Sequence, residues 1–125
     1  MDQPNPFGRP NDTVTPTALP YSVTFTSPYT SSDWPPRVVV SDHYITTGRA
    51  GSEMPGPADQ ITAFSTSYDV LVEGRVTGSP SLLVADYGQG RVVIQTDNSD
   101  YGSLNGDISD EVFIRMIEWV STNAE

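Results

Sequence analysis

The stretch that most limits the possible folds is "SLLVADYGQGRVVIQTD", residues 81–97. Two apolar runs, Ser81–Tyr87 and Arg91–Asp97, meet at Gly88-Gln89-Gly90. A link this short closes an antiparallel hairpin, because glycine supplies the positive φ that tight strand connections demand. Both runs are apolar nearly throughout, so they are expected as inner strands covered on both faces. The rest of the chain must then supply an apolar layer on each side.

Several segments qualify. "YSVTFTS" (21–27) alternates Tyr21, Val23 and Phe25 with Ser22, Thr24 and Thr26, the period of a half-buried strand. "RVVVS" (37–41), "ITAFST" (61–66) and "YDVLVEG" (68–74) read as further strands. "SPYTSSDWPP" (27–36) is a loop, closed by a Pro-Pro pair that cannot join a central ladder. The Gly- and Pro-containing stretch 42–60 is expected to be mostly irregular, with one helical turn near Tyr44–Thr47. Connections of that length are often functional.

The chain closes with "DISDEVFIRMIEWVSTNAE". Apolar residues at 113, 116, 117 and 120, with Val112 and Trp119 on the shoulders, mark a helix. Asp107 or Ser109 can cap it, and Asp110 and Glu111 suit the positive end of its dipole. Burial of Phe113, Ile117, Trp119 and Val120 is expected to anchor the fold, at roughly 6–12 kcal/mol gross. The fold class that follows is α/β: a mixed, largely antiparallel sheet of five or six strands, with one long C-terminal helix packed on a face. Residues 21–125 form a single domain, and residues 1–20, with five of the eleven prolines, form an extended arm or linker.

A chain of 125 residues holds one core. It has no cysteine, which excludes disulfides, thiolate metal sites and cysteine nucleophiles. The net charge is −10, with six Arg and no Lys, and this opposes nucleic-acid binding. No apolar run reaches the roughly 18 residues of a membrane span, so no membrane insertion is expected. The compartment stays open: the start lacks a signal-peptide pattern, as a mature secreted form or a fragment also would. The acidic balance suits a salt-rich or extracellular setting or a cation-binding role; plain solubilising charge is the simpler account.

Four places carry candidate chemistry. In "DNSDYGSLNGD", Asp97, Asp100 and Asp107 offer oxygen ligands to calcium, the one cofactor the sequence suggests. The loop fails the strict calcium-loop pattern, with Ser99, Tyr101 and Ile108 at the third, fifth and twelfth places, and strand closure with helix capping explains it as well. His43 is the single histidine, and no G-x-S-x-G elbow accompanies it, so packing or capping is its expected role. Asp69, Glu73 and Asp86 lie on expected strands, but nothing sets any two at a catalytic separation. Arg91, after the glycine corner, is placed to pair with Asp86 or to hold an anion. The aromatics Tyr21, Phe25, Tyr29 and Trp34 either fill a β-rich core or serve as interaction anchors.

Residues 79–102, "SPSLLVADYGQGRVVIQTDNSDYG", followed by "EVFIRMIEWV", resemble the end of class I glutamine-amidotransferase-like domains. The likeness is to their non-catalytic branch, found in trehalose-utilisation-like and intraflagellar-transport-like proteins. Tyr87, Gly88, Gly90, Arg91, Val92, Val93 and Asp97 match its turn-and-strand, and Trp119 its closing aromatic. "DHYITTG" (42–48) and, more loosely, "TALPYSVTF" (17–25) match upstream segments. The resemblance implies the C-terminal half of such a domain, without its nucleophile elbow or His-x-Glu pair. The expected function is a non-enzymatic protein-interaction or assembly module, partnered by itself or by another protein chain. An extracellular carbohydrate- or calcium-binding accessory module is the alternative.

Overall fold

The structure is a computed structural model, and it describes residues 13–26, 33–56, 60–96 and 109–123. The strands are β1 (Thr13–Val14), β2 (Val23–Thr26), β3 (Arg37–Val38), β4 (Gln60–Phe64), β5 (Asp69–Glu73), β6 (Pro80–Tyr87) and β7 (Gly90–Gln95); the helix α1 is Asp110–Val120. The fold is α/β with a C-terminal helix, and the single sheet expected from the sequence is replaced by two. One has the order β1-β2-β4, the other β3-β5-β6-β7, and every described pairing is antiparallel. Thr13–Val14, within the stretch expected to be an arm, already pairs with Phe25 and Thr26.

Strand β6 explains the division. Pro80 to Ala85 are all buried, so both faces of the strand need cover. Leu82 and Val84 face a cluster with Ile45, Met54, Leu71, Val112 and Met116, the helix side. Leu83 and Ala85 face Val23, Ile61 and Tyr68, the side of the three-stranded sheet. The layers are therefore helix, four-stranded sheet and three-stranded sheet. Strand β7 shares both cores, Val93 with the first and Val92 and Ile94 with the second, but every residue from Arg91 to Gln95 is only half-buried. It is an edge strand, not the inner strand its sequence suggested. The hairpin turn is the two-residue Gly88-Gln89, with Gly88 at φ 61° and Gly90 already in the ladder.

The helix starts as expected, with the Ser109 hydroxyl accepting from Val112 N–H. Its packing face does not. Val112 and Met116 are buried and Trp119 is half-buried, whereas Phe113, Ile117 and Val120 are exposed. Residues 112/116/119 and 113/117/120 form two neighbouring rows of identical i, i+4, i+7 spacing, and the sheet receives the first row. The turn expected near Tyr44–Thr47 is present, with Thr46 and Thr47 N–H donating to His43 O, and a 3₁₀ turn follows at Gly51–Glu53.

One buried charge organises the sheet's far end. Asp33 is about 1 % exposed, and its carboxylate accepts from Val76 N–H (2.9 Å), Thr77 N–H (2.7 Å) and the Thr77 hydroxyl (2.6 Å). These bonds tie the β5–β6 turn to the chain ahead of β3. Gly74 is required there, because a Cβ would lie 2.5 Å from the Asp33 carboxyl carbon. Burial works to raise the Asp33 pKa, but the hydrogen bonds from Thr77 and Val76 together prevail and the group titrates below its ordinary value. Asp33→Ala is expected to cost about 2–4 kcal/mol, since it removes three hydrogen bonds to a buried carboxylate and leaves two turn N–H groups without their acceptor. Urea unfolding at neutral pH measures it. Because the folded pKa is depressed, this contribution is present above 3.8 and disappears as pH falls through the folded value.

Candidate functional site

Two features share strand β7: its outer edge, and a cleft at the strand's start. The phase of the ladder defines the edge. Thr96 N–H donates to Ser81 O, so residues 92, 94 and 96 turn their backbone groups toward β6, while Arg91 and Val93 turn theirs outward. Among the described residues no strand lies beyond β7. The β6–β7 register runs without a bulge from Leu82↔Gln95 to Tyr87↔Gly90, and β7 has no proline. The other edges are managed. β1 and β3 are two residues long, and at β4 the Ser79 hydroxyl bonds both Ile61 N–H and Ile61 O.

The helix lies against β7 and runs opposite to it, since Arg91 at the strand's start sits beneath Trp119 near the helix's end. One flank of the helix is occupied. Glu118 accepts from the Tyr44 hydroxyl, Arg115 donates to Tyr44 O and Thr47 O, and Glu111 lies 3.7 Å from Arg49. With 112/116/119 on the sheet and 111/115/118 on that flank, the helical repeat turns 113/117/120 to the opposite side, over the outer edge of β7. Phe113 (41 %), Ile117 (50 %) and Val120 (37 %) are exposed there, and Ile114 (50 %) stands above them.

The cleft, about 480 Å³, is lined by Tyr21, His43, Ser67, Asp69, Val84, Ala85, Asp86, Arg91 and Trp119. Residues 86 and 91 are cross-strand partners flanking the hairpin turn, and Arg91 Nε lies 3.8 Å from Asp86 Oδ1, the pairing expected from the sequence. The guanidinium carbon stands 4.6 Å over the Trp119 ring, and Nη1 donates to Trp119 O (3.3 Å) and to the Thr122 hydroxyl. Arg91 thereby caps the helix's negative end. Its Nε–H is buried and has no hydrogen-bond partner among the described residues. His43 packs on Trp119 at 4.9 Å, and its Nδ1 accepts from Ile45 N–H, which leaves the neutral ring's proton on Nε2. The Tyr21 hydroxyl donates to Asp86 O (2.9 Å) and the Tyr68 hydroxyl to Tyr21 O (2.7 Å), fixing this wall.

No family model, curated protein or solved structure matches this chain. The residues themselves therefore carry the reading.

Of the sequence candidates, Asp97, Asp100, Asp107 and Tyr29 lie outside the described residues. Tyr21 lines the cleft, Phe25 packs between the sheets, and Trp34 is half-buried with its ring against Gly56. Among the described residues no cluster of three His, Asp or Glu is placed to hold a metal, and no helix is long and apolar enough to cross a membrane. Sequence reasoning did not join Ser67, Asp69 and Trp119 to His43 and Arg91. The one available signal was the 86/91 register across the turn, which locates the cleft floor.

Burial holds the His43 pKa below 6.5, and the nearby Arg91 adds to this; Asp69 and Asp42 oppose it. The neutral ring is thus the folded form. Its contribution to stability is complete above 6.5 and declines as pH falls from there through the folded pKa, because the unfolded chain takes up the proton first. His43→Asn keeps an acceptor for Ile45 N–H and cannot titrate. Melting temperatures measured from pH 7.5 down to 5 are expected to fall more steeply for wild type than for the variant.

Proposed function

We propose that the chain is a non-enzymatic assembly module that pairs with a second copy of itself through the outer edge of β7 and the apolar row of α1. The observation that supports this is the coincidence of the two: a regular strand edge at Arg91 and Val93 that no described strand pairs, on the side of the helix to which Phe113, Ile117 and Val120 turn. An open edge offers main-chain donors and acceptors to any strand, and proteins that avoid pairing blunt it with charge, proline or bulges. Here the one charged side chain on the strand, Arg91, is folded under Trp119.

A helix that is apolar on both its sheet-facing and its outward side belongs between two layers. The exposed row presents roughly 200–250 Å² of largely apolar surface. A second copy fits because antiparallel pairing of two β7 strands about a two-fold axis is self-complementary. The same axis sets the two helices side by side in opposite sense, so each row covers the other. Doubling the row supplies less than half of the roughly 1,200 Å² of a small specific interface, so the strand pairing must bury the larger share. The resemblance to half of an amidotransferase-like domain agrees with a sheet completed by another chain.

Light scattering after size exclusion, at micromolar protein and ordinary ionic strength, tests the proposal. The expected mass is twice the 13.6 kDa chain. Val93→Pro removes an outward N–H without touching the β6 ladder, and Ile117→Glu charges an exposed position. Each is expected to weaken association at least ~100-fold, about 3 kcal/mol. Ile117→Glu should leave the melting temperature of the monomer nearly unchanged. A wild-type monomer, or a mass indifferent to both substitutions, overturns the reading.

A further inference from the structure

We infer that ionic strength gates the pairing of two copies: salt, by screening one acidic surface from the other, sets how tightly they hold. This rests on the self-pairing proposed above and names what regulates it. The chain carries a net charge of −10, from 16 Asp and Glu against six Arg. A fold of 125 residues has a radius of gyration of about 14 Å, so paired copies stand with their centres roughly 30 Å apart. Screening sets in beyond about 30 Å at 0.01 M salt, about 10 Å at 0.1 M and about 3 Å at 1 M. At the low end each copy feels the other's whole charge. At the high end only charge at the contact itself counts.

The contact is nearly bare of charge. On β7 the one ionisable side chain is Arg91, whose guanidinium lies over Trp119 and bonds Trp119 O. On α1 the outward row is Phe113, Ile117 and Val120, with Ile114 beside it. Asp110, a turn before Phe113, is the one acidic residue of the helix on that side. A two-fold axis that sets the helices in opposite sense sends the two Asp110 residues to opposite ends of the contact. Among the described residues, no arginine is left to bridge the copies. Arg37 is held by Glu73, and Arg49 by Glu53 and Glu111. Arg115 bonds Tyr44 O and Thr47 O on the occupied flank of the helix. Arg75 follows β5 and belongs to neither β7 nor α1. An interface built on ion pairs loosens as salt rises. This one offers salt no pair to break and a long-range repulsion to remove, so salt tightens it.

Sedimentation equilibrium of wild type at pH 7.5, in 0.01, 0.1 and 1 M NaCl, tests the inference. The dissociation constant is expected to fall at least about tenfold from the lowest salt to the highest. Salts excluded from protein surface also strengthen apolar contacts, so charge variants separate the two causes. Asp42→Asn with Asp69→Asn removes two exposed carboxylates and takes the net charge from −10 to −8. Neither residue touches the paired edge: Asp42 follows β3, and β6 lies between Asp69 on β5 and β7. This variant is expected to pair at least about threefold more tightly than wild type at 0.01 M and within about twofold of it at 1 M. Should it fold poorly, Ser41→Asp with Thr66→Asp, both exposed, takes the charge to −12 and is expected to show the opposite shift at 0.01 M alone. A dissociation constant that is flat or rises with salt overturns the inference and leaves the dimer standing. So does a charge variant that tracks wild type at every salt. A chain still monomeric in 1 M NaCl overturns the self-pairing itself, and the gating with it.

Discussion

Covering both faces of strand β6 is the constraint from which the other layers follow. Six consecutive buried residues, Pro80 to Ala85, are sealed only if one layer takes Leu82 and Val84 and another takes Leu83 and Ala85. The first layer is α1 with the segment around Ile45 and Met54; the second is the three-stranded sheet through Val23 and Ile61. Each buried leucine or valine is worth roughly 1.5–3 kcal/mol of transfer free energy, so neither layer is dispensable. The polar anchors serve the same end. Asp33 fixes the turn into β6, and Arg91 fastens the end of the helix to the strand beside it. Both bonds hold cover in place over a strand that has no polar face of its own.

The sequence made this strand and its hairpin visible, because an unbroken apolar run flanked by glycines has few other solutions. It also placed the helix and offered Ser109, beside Asp107, as its cap. It did not distinguish one sheet from two. The alternating strand 21–27 and the run 68–74 look alike in periodicity, yet they join different sheets, and which neighbour a strand takes is decided by packing across the core. The helix shows the limit most clearly. Rows 112/116/119 and 113/117/120 have the same spacing, and the second contains the bulkier Phe113, so periodicity favours the row that the sheet leaves outside. Size alone does not choose the packing face. The ion pair of Arg49 with Glu111 and the hydrogen bonds that join Tyr44 to Glu118 and Arg115 to Thr47 form only in this rotation of the helix, and their partners come from a stretch that carries no period at all.

The cleft was legible in one pair only. Asp86 and Arg91 flank a tight turn, and their register follows from the turn length. His43 and the pair Ser67 and Asp69 come from two other places in the chain and meet there because β5 pairs with β6 and because the segment after β3 folds back over the helix face. No spacing rule links His43 to Ser67 and Asp69, or either place to the Asp86–Arg91 pair.

The edge of β7 and the overall charge pull in opposite directions. A net charge of −10 makes two copies repel, which favours a monomer. That repulsion is long-ranged and is screened over about 10 Å at 0.1 M salt. The row Phe113, Ile117 and Val120 is uncharged, and its attraction acts only in contact. In the proposed dimer, acidity would act against indiscriminate edge pairing while leaving intact a contact that buries the row. A strand edge without its own blunting charge is tolerable on such a chain because the repulsion comes from the whole surface.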